Sequence, residues 1–309
     1  MCGIVAFKGN KEKTSEVIFE GLKLLEYRGY DSCGIGVIDN NEIKSFKWKG
    51  RVQNTEKRFI KSKIKSPIAI GHTRWATHGE PNDVNSHPIT SFNKKFAIVH
   101  NGIIENYREL KKILLEKGYE FYTETDTEVL VTFIELCVSN AKNIDKGISY
   151  ALSKLEGAFG IVLIQSSNTD IMYAARKGSP LAFGRKGDNF FIASDATPII
   201  EYTKKIIYLD NGQLLKIDKS SFEVLDFDLN KVPKKFQEVD VELQRVELGD
   251  FDSYMLKEIM EQPESLNQTM LGRIKNNKIT LGGIQKYSKD LINTKRVIIM
   301  FKSRGLRSL

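Results

Sequence analysis

Met1-Cys2-Gly3-Ile4-Val5-Ala6-Phe7 opens the chain and places a cysteine directly before an apolar run. The run over residues 4–7 predicts a buried β-strand that starts almost at the first residue. Initiator methionine is normally removed before a small second residue, which would leave Cys2 with a free α-amine beside its thiol. An α-amine has a pKa of about 7.7–8.0 and a thiol about 8.5, so the amine can accept the thiol proton near neutral pH. The stretch predicts an N-terminal nucleophile, with an unreactive buried cysteine as the alternative.

Composition and charge indicate a globular protein. The chain has 309 residues, of which 41% are hydrophobic and 28% charged, enough for a buried core and for two domains. The formal charge of +8 is compatible with a nucleic-acid partner. However, the densest basic run, residues 57–65, lacks the interleaved aromatic residues that a single-strand binder needs. We therefore expect a solvated lysine-rich surface and no nucleic-acid partner.

Cysteine usage bears on the compartment. Cys2, Cys33 and Cys137 are an odd number with no close pair, which argues against a disulfide framework and for a reducing compartment. The apolar run before Lys8 is too short for a secretory signal, and no stretch reaches the roughly 20 apolar residues that span a bilayer. The sequence predicts a cytoplasmic protein with no membrane partner.

Strand and helix patterns alternate along the chain and predict an α+β fold. Strands are expected at residues 4–7, 34–38, 43–48, 68–71, 96–100, 159–165, 171–175, 190–193 and 205–209. Helices are expected at residues 16–25, 107–117, 127–138 and 144–155. The charged stretch over residues 226–252 predicts a linker. After it we expect a helix over residues 254–261, which Pro263 stops, and a strand over residues 297–301. These changes divide the chain into domains of residues 1–236 and 237–309.

Five polar motifs lie in the first domain, at residues 25–32, 72–81, 85–88, 100–102 and 123–128. With Cys2, and in this order, they make the chain resemble the class II glutamine amidotransferases. The resemblance runs from Cys2 to about residue 225 and resumes at residues 253–263. It implies the four-layer αββα sandwich of the N-terminal nucleophile (Ntn) hydrolases, and no cofactor.

The resemblance also implies roles for the residues that bind glutamine. Cys2 attacks the side-chain amide, while the Asn101 side chain and the Gly102 N–H stabilise the oxyanion that develops. Arg74 suits the α-carboxylate, which a guanidinium can bind through two parallel hydrogen bonds. Asp126 suits the α-ammonium, although an aspartate before helical residues is also a helix N-cap type.

Four further site residues rest on the resemblance alone. The family segment that matches residues 74–81 closes over glutamine, and Trp75 matches the residue that gates the path of ammonia. Thr77 and His87 match other positions on the substrate side. Arg28 matches an arginine near the nucleophile.

The motif at residues 25–32, the Trp75 loop and the motif at residues 123–128 favour the branch of the class that transfers ammonia to fructose 6-phosphate. In that branch a sugar-phosphate isomerase domain follows and binds the sugar phosphate in a Gly-Thr-Ser-type loop. Residues 302–305, Lys-Ser-Arg-Gly, stand there instead, and the sequence ends. We therefore expect an incomplete isomerase domain, a family homodimer surface that is largely missing, and fructose 6-phosphate binding only in a full-length enzyme. The chain alone should only hydrolyse glutamine.

Several alternatives remain open at this point. A Cys–His site could use Cys33 or Cys137. A zinc site is disfavoured because the four histidines lie at spacings of six, nine and thirteen with no Cys-x-x-Cys, so no metal is expected. The chain could be a catalytically idle fragment, or an Ntn hydrolase for another amide, although Arg74 and Asp126 favour an amino-acid substrate.

Overall fold

A computed structural model of the protein describes residues 2–76, 79–239, 251, 254–270, 274–275, 278–279 and 293–294. The chain forms two compact units, residues 1–245 and 246–309, and each is described by itself. The boundary that the sequence predicts, between residues 236 and 237, remains a prediction.

Two antiparallel sheets form the centre of the first unit. One has eight strands in the order β14 (Gln237–Glu238), β11 (Lys205–Tyr208), β9 (Ala182–Lys186), β10 (Asn189–Ala193), β1 (Gly3–Lys8), β4 (Ile68–Arg74), β2 (Ser32–Asp39) and β3 (Glu42–Lys49). The other has six, in the order β13 (Ser221–Asp226), β12 (Gln213–Asp218), β8 (Asn168–Lys177), β7 (Gly157–Gln165), β6 (Phe96–Ile104) and β5 (Ile89–Thr90).

Side-chain alternation along β1 explains why its apolar run is continuous. Ile4 and Ala6 point into the core between the two sheets, whereas Val5 and Phe7 point to the opposite face, beneath helices. Because successive residues of a strand face opposite sides of a sheet, a strand covered on both faces is apolar at every position. The opening stretch is therefore a central strand of a layered fold.

Helices cover the outer face of each sheet. α1 (Thr14–Leu24), α2 (Val52–Ser62) and the short α6 (Thr197–Ile200) pack on the eight-stranded sheet, and a 3-10 turn (Glu26–Arg28) follows α1. α3 (Tyr107–Glu116), α4 (Asp126–Ser139) and α5 (Ile144–Ser153) pack on the six-stranded sheet. With the core between the sheets, these layers confirm the predicted αββα sandwich.

The predicted elements of this unit differ from the structure mainly in extent. β4 continues to Arg74 and β6 to Ile104, past the predicted ends at residues 71 and 100. Helix α2 was not predicted, because its buried face is small, consisting of Val52, Thr55 and Phe59, and polar and charged residues surround it. The basic run therefore belongs partly to an amphipathic helix.

The prediction of a linker that begins at residue 226 was wrong for its first part. Val232 and Phe236 pack against the core between the sheets, and the Phe236 ring lies 5.7 Å from that of Phe222. β14 then adds the edge strand beside β11. Phe227 and Leu229 pack against an outer core as well, so several apolar side chains attach this otherwise charged stretch to the sandwich.

In the second unit, helix α7 (Tyr254–Met270) is followed by the paired strands β15 (Ile274–Lys275) and β16 (Lys278–Ile279). The prediction that Pro263 stops this helix was wrong, since the helix continues through it. A proline inside a helix removes one backbone hydrogen bond at a cost of about 3 kcal/mol. The surrounding Met, Leu, Glu and Gln residues are good helix formers and favour continuation.

The strand predicted over residues 297–301 lies outside the described residues, so the incomplete isomerase domain remains a prediction. None of the helices in the part of the chain that the structure describes has the length and apolarity needed to cross a membrane.

Candidate active site

A small pocket lies where β1 begins, where β4 and β6 end, and where α4 starts. It is lined by Cys2, Arg74, Trp75, His87, His100, Gly102, Thr125, Asp126 and Thr127. Pairing between β1 and β4 sets Gly3 opposite Thr73, which places Cys2 beside the end of β4. The fold thus gathers residues from four of the sequence motifs around the cysteine.

The Cys2 thiol is held by the backbone of Trp75. The Trp75 N–H donates to Sγ at 3.2 Å, and the thiol donates to the Trp75 carbonyl at 3.4 Å. Burial raises the pKa of the Cys2 thiol, while the Trp75 hydrogen bond and the nearby charge of Arg74 act in the opposite direction. Because burial dominates, the thiol keeps its proton near neutral pH unless a base removes it.

Asn101 and Gly102 lie near the end of β6. The Asn101 side chain is buried, and its Nδ2 donates to the Cys2 carbonyl at 3.0 Å. Gly102 has a φ of +128°, and a Cβ there would lie 1.9 Å from the Ala158 carbonyl oxygen of β7. Only glycine fits this backbone, because a side chain would collide with β7.

Arg74 is the last residue of β4. Its buried guanidinium donates to the carbonyls of Gly79 at 3.2 Å and Glu80 at 3.4 Å. These bonds hold the C-terminal end of the loop that follows β4. Asp31 holds the N-terminal end of the same loop, since its Oδ2 accepts a hydrogen bond from the Ala76 N–H at 2.9 Å. Thr77, expected to contact substrate, lies outside the described residues.

Asp126 is the first residue of α4. The N-cap is Thr125, whose side chain accepts from the Glu128 N–H at 3.3 Å, so the capping role considered for Asp126 belongs to its neighbour. Asp126 Oδ2 accepts from the Ile104 N–H at 2.9 Å. This bond holds the Asp126 side chain in the pocket wall, at the N-terminal end of the helix.

Three buried histidines cluster at the pocket, and two of them, His87 and His100, line it. His87 Nε2 and His100 Nδ1 lie 3.0 and 2.9 Å from Thr127 Oγ1, and the rings of His72 and His87 stack at 4.3 Å. Burial lowers the pKa of His72 to about 3 and that of His87 well below its usual range, so both are neutral.

Thr125 and Thr127 line the pocket but were not among the predicted site residues. A signal for Thr125 was present, since Thr125 and Glu128 have the Ser/Thr-x-x-Glu spacing of a helix start. Thr127 gave no comparable signal, because only the fold reveals that His87 and His100 converge on its hydroxyl.

Arg28 does not line the pocket. Its guanidinium donates to the Ser194 carbonyl and to Asp195, both at 3.2 Å. The Ser194 hydroxyl in turn accepts from the Ile4 N–H at 3.0 Å. Arg28 thus fixes the start of β1 two residues from Cys2.

The other cysteines are unsuited to nucleophilic attack. Cys33 and Cys137 are buried in two different outer cores, and burial raises the pKa of their thiols to about 12 and about 11. This is the behaviour of core side chains, and it disfavours a Cys–His site built on either residue. Across the described residues, no cluster of three or more His, Cys, Asp or Glu side chains could hold a metal ion.

Two facing antiparallel sheets lie between helical layers, and a cysteine directly precedes the first strand. This arrangement is that of the Ntn-type amidotransferases, and solved structures share the fold. Glutamine phosphoribosylpyrophosphate amidotransferase from B. subtilis, complexed with ADP and GMP, matches with a TM-score of 0.64 at 28% identity, over 74% of this chain and 50% of that one. A glutamine aminotransferase class-II domain protein from Silicibacter pomeroyi, 14% identical with a TM-score of 0.51, shares the fold.

The glutamine amidotransferase domain family matches residues 72–201, so the chain carries a glutamine amidotransferase domain. The chain is similar to proteins named glutamine–fructose-6-phosphate aminotransferase [isomerizing]. That of Bacteroides thetaiotaomicron is 43% identical over 305 residues, 97% of this chain and 50% of the relative. That of Chlorobaculum tepidum is 42% identical over 306 residues, with the same two shares. The chain spans about half the length of the curated relatives it matches, and its amidotransferase domain fits the glutaminase half of such an enzyme.

Proposed function

We propose that this chain hydrolyses glutamine to glutamate and ammonia, with Cys2 as the nucleophile. The observation that supports this most is the single pocket that Cys2 shares with Arg74 and Asp126. A guanidinium and a carboxylate at one cysteine complement the α-carboxylate and α-ammonium of an amino acid. An amide hydrolase for substrates without these groups would have no use for such a pair.

The chemistry proceeds in two steps. Cys2 Sγ attacks the side-chain amide carbon while its proton passes to the α-amine of Cys2, exposed by removal of Met1, and then to the leaving nitrogen. The negative charge on the amide oxygen is stabilised by Asn101 Nδ2 and the Gly102 N–H, an effect worth roughly 3–4 kcal/mol per donor in other hydrolases. The C–N bond breaks to release ammonia, and water hydrolyses the thioester to glutamate and free Cys2.

The other site residues act around the substrate in this proposal. His87 and Thr77 lie on the substrate side, the loop over residues 74–81 closes over glutamine, and Trp75 gates the path of ammonia. Arg28 acts indirectly, by holding β1 at the position from which Cys2 reaches the pocket. No metal or other cofactor takes part.

We further propose that the ammonia serves amination of fructose 6-phosphate to glucosamine 6-phosphate in a full-length, homodimeric enzyme of the cytoplasm. The names of the relatives support the amination of fructose 6-phosphate, and the buried free thiols of Cys33 and Cys137 suit a reducing compartment. The chain alone is expected to release ammonia without forming the amino sugar. Its incubation with both substrates, followed by an assay for glucosamine 6-phosphate, tests that expectation.

The test of the glutaminase compares two forms of the purified chain, one with Cys2 as its first residue and one with a few residues added before it. We expect glutamate and ammonia release only from the first, since only there is the α-amine beside the thiol. Equal activity in both forms would exclude the α-amine as the base. If neither form releases glutamate and ammonia although both are folded, the chain is catalytically inactive.

A further inference from the structure

The Asn101 side-chain amide is held at both ends. Its Nδ2 donates to the Cys2 carbonyl at 3.0 Å, and its Oδ1 lies 3.0 Å from Nε2 of His72. Oxygen and nitrogen of an amide are exchanged by a rotation of 180°, so an asparagine by itself does not determine which atom faces the nucleophile. The direction of the amide depends on its partners.

The His72 ring determines that direction. Nε2 also lies 3.1 Å from the His100 carbonyl oxygen, and because neither acceptor bears a hydrogen, Nε2 must be the protonated nitrogen. Burial holds the pKa of His72 at about 3, so the ring carries only this one hydrogen. Nδ1 is buried and has no hydrogen-bond partner in the part of the chain that the structure describes, as expected for a bare lone pair.

Rotation of the amide would reverse both contacts. The NH2 group would face the N–H of His72, and Oδ1 would face the Cys2 carbonyl oxygen. Both hydrogen bonds would become repulsive contacts inside a buried site, where unpaired polar groups are costly. His72 therefore selects the rotamer that directs Nδ2 at the residue bearing the nucleophile.

We propose that His72 is a positioning residue for glutamine hydrolysis, which acts by holding Asn101 Nδ2 towards the amide oxygen of the substrate. The inference rests on the proposed glutaminase and on the oxyanion role of Asn101. It separates His72 from the other two buried histidines, since the side chains of His87 and His100 bond to Thr127 instead. Neither His72 nor Asn101 is among the residues that line the pocket, and the hydrogen bond from Asn101 to the Cys2 carbonyl connects this pair to the nucleophile.

The test uses the full chain and measures glutamate release by H72Q, H72N and H72L. Gln places an amide N–H close to the position of Nε2, whereas Asn places it near Nδ1, and Leu has no donor. We expect kcat to fall about 10- to 100-fold in H72L and H72N, somewhat less than for removal of an oxyanion donor itself. KM for glutamine should stay within about threefold, and H72Q should keep kcat within about fivefold of wild type.

A double-mutant cycle with N101A identifies the route of the effect. In the N101A background, H72L should lower kcat by less than about twofold, because the amide that His72 holds is already absent. Ile70→Ala, a cavity variant on the same strand β4, controls for loss of stability, and we expect it to lower the melting temperature while kcat stays near wild type.

The proposal would be overturned if H72L lowered kcat by the same factor in the wild-type and N101A backgrounds. A rise in KM for glutamine at unchanged kcat would also overturn it. If H72L fails to fold, the comparison of H72Q with H72N decides, and equal activity in those two variants would overturn it. A wild-type chain that releases no glutamate, or a C2A variant that still does, would reject the proposed glutaminase itself. The two failures are therefore distinguishable.

Discussion

The backbone N–H of Trp75 donates to the Sγ of Cys2 at 3.2 Å. The contact joins the first strand of the chain to the loop after β4, 73 positions away in sequence. Any movement of that loop therefore changes the environment of the thiol, which links loop position to nucleophile reactivity.

Reactivity of the Cys2 thiol should increase over an unusually high pH range. Because burial raises its pKa, the thiolate fraction, and with it the rate of alkylation by iodoacetamide, should still be increasing above about pH 8.5, the ordinary thiol value. Rates measured from pH 6 to 10, with a C2A variant to correct for Cys33 and Cys137, check this. A plateau reached below pH 7 would contradict it.

Gly102→Ala should abolish activity and destabilise the fold. The new Cβ would lie 1.9 Å from the Ala158 carbonyl at a φ of +128°, so the end of β6 must shift, at a cost of about 3 kcal/mol or more. Gly118→Ala is the matched control, because that glycine has a φ of +84° but open space around it. We expect a loss of about 1 kcal/mol there, with activity retained, in urea unfolding and glutaminase assays.

Similar losses of stability in both variants would show that positive φ alone determines the cost. The close approach of β6 to β7 would then be no constraint on the oxyanion donor.

Asp31→Ala should release the loop that starts at Trp75. The carboxylate of Asp31 accepts the Ala76 N–H at 2.9 Å, and without it the loop loses the anchor of its N-terminal end. We expect kcat/KM for glutamine to fall about tenfold, a loss of roughly 1.4 kcal/mol of transition-state stabilisation. Asp83→Ala is the control, since Asp83 accepts one backbone N–H, from Lys49 at 2.7 Å, away from the pocket. An equal loss in D83A would indicate general destabilisation instead.

The fold should lose stability as pH falls below about 6.5. His72 and His87 have depressed pKa values when folded, so between pH 6.5 and about 4 only the unfolded chain takes up their protons, and protons then favour unfolding. Each histidine should lower the unfolding free energy by up to about 1.4 kcal/mol per pH unit in that window, and the stabilisation is fully present above it.

Urea unfolding of wild type and H72Q at pH 7.5, 6.0 and 5.0 checks this prediction. The variant lacks one titrating ring, so its stability should fall less steeply with acid than that of wild type. Parallel curves would show that His72 does not carry the effect.

Much of the architecture could be predicted from local patterns. The strands predicted at residues 34–38 and 43–48 are β2 and β3, and the turn between them places Asn40 and Asn41 at the positive φ that such turns require. Elements with mixed signals were missed. Helix α2 has a small buried face among charged residues, and the segment over residues 227–236 joins the cores through a few apolar side chains in a charged stretch.

The sequence by itself determined the class of protein, through Cys2 before an apolar strand and five polar motifs in order. It also gave the candidate nucleophile, the pair of charges for an amino acid, and the glycine at position 102. The nucleophile follows from residue type and position, whereas the class, the pair of charges and the role of the glycine follow from the resemblance that the ordered motifs carry.

Only the tertiary structure decided how these residues depend on one another. Pairing of β1 with β4 puts Trp75 on Cys2, and burial makes His72 a neutral ring with a single hydrogen that sets the direction of Asn101. Arg28 turned out to hold the start of β1 through Ser194 instead of lining the pocket. Desolvation and hydrogen-bond direction arise from groups far apart in the chain, so they exist only once the two sheets have packed together.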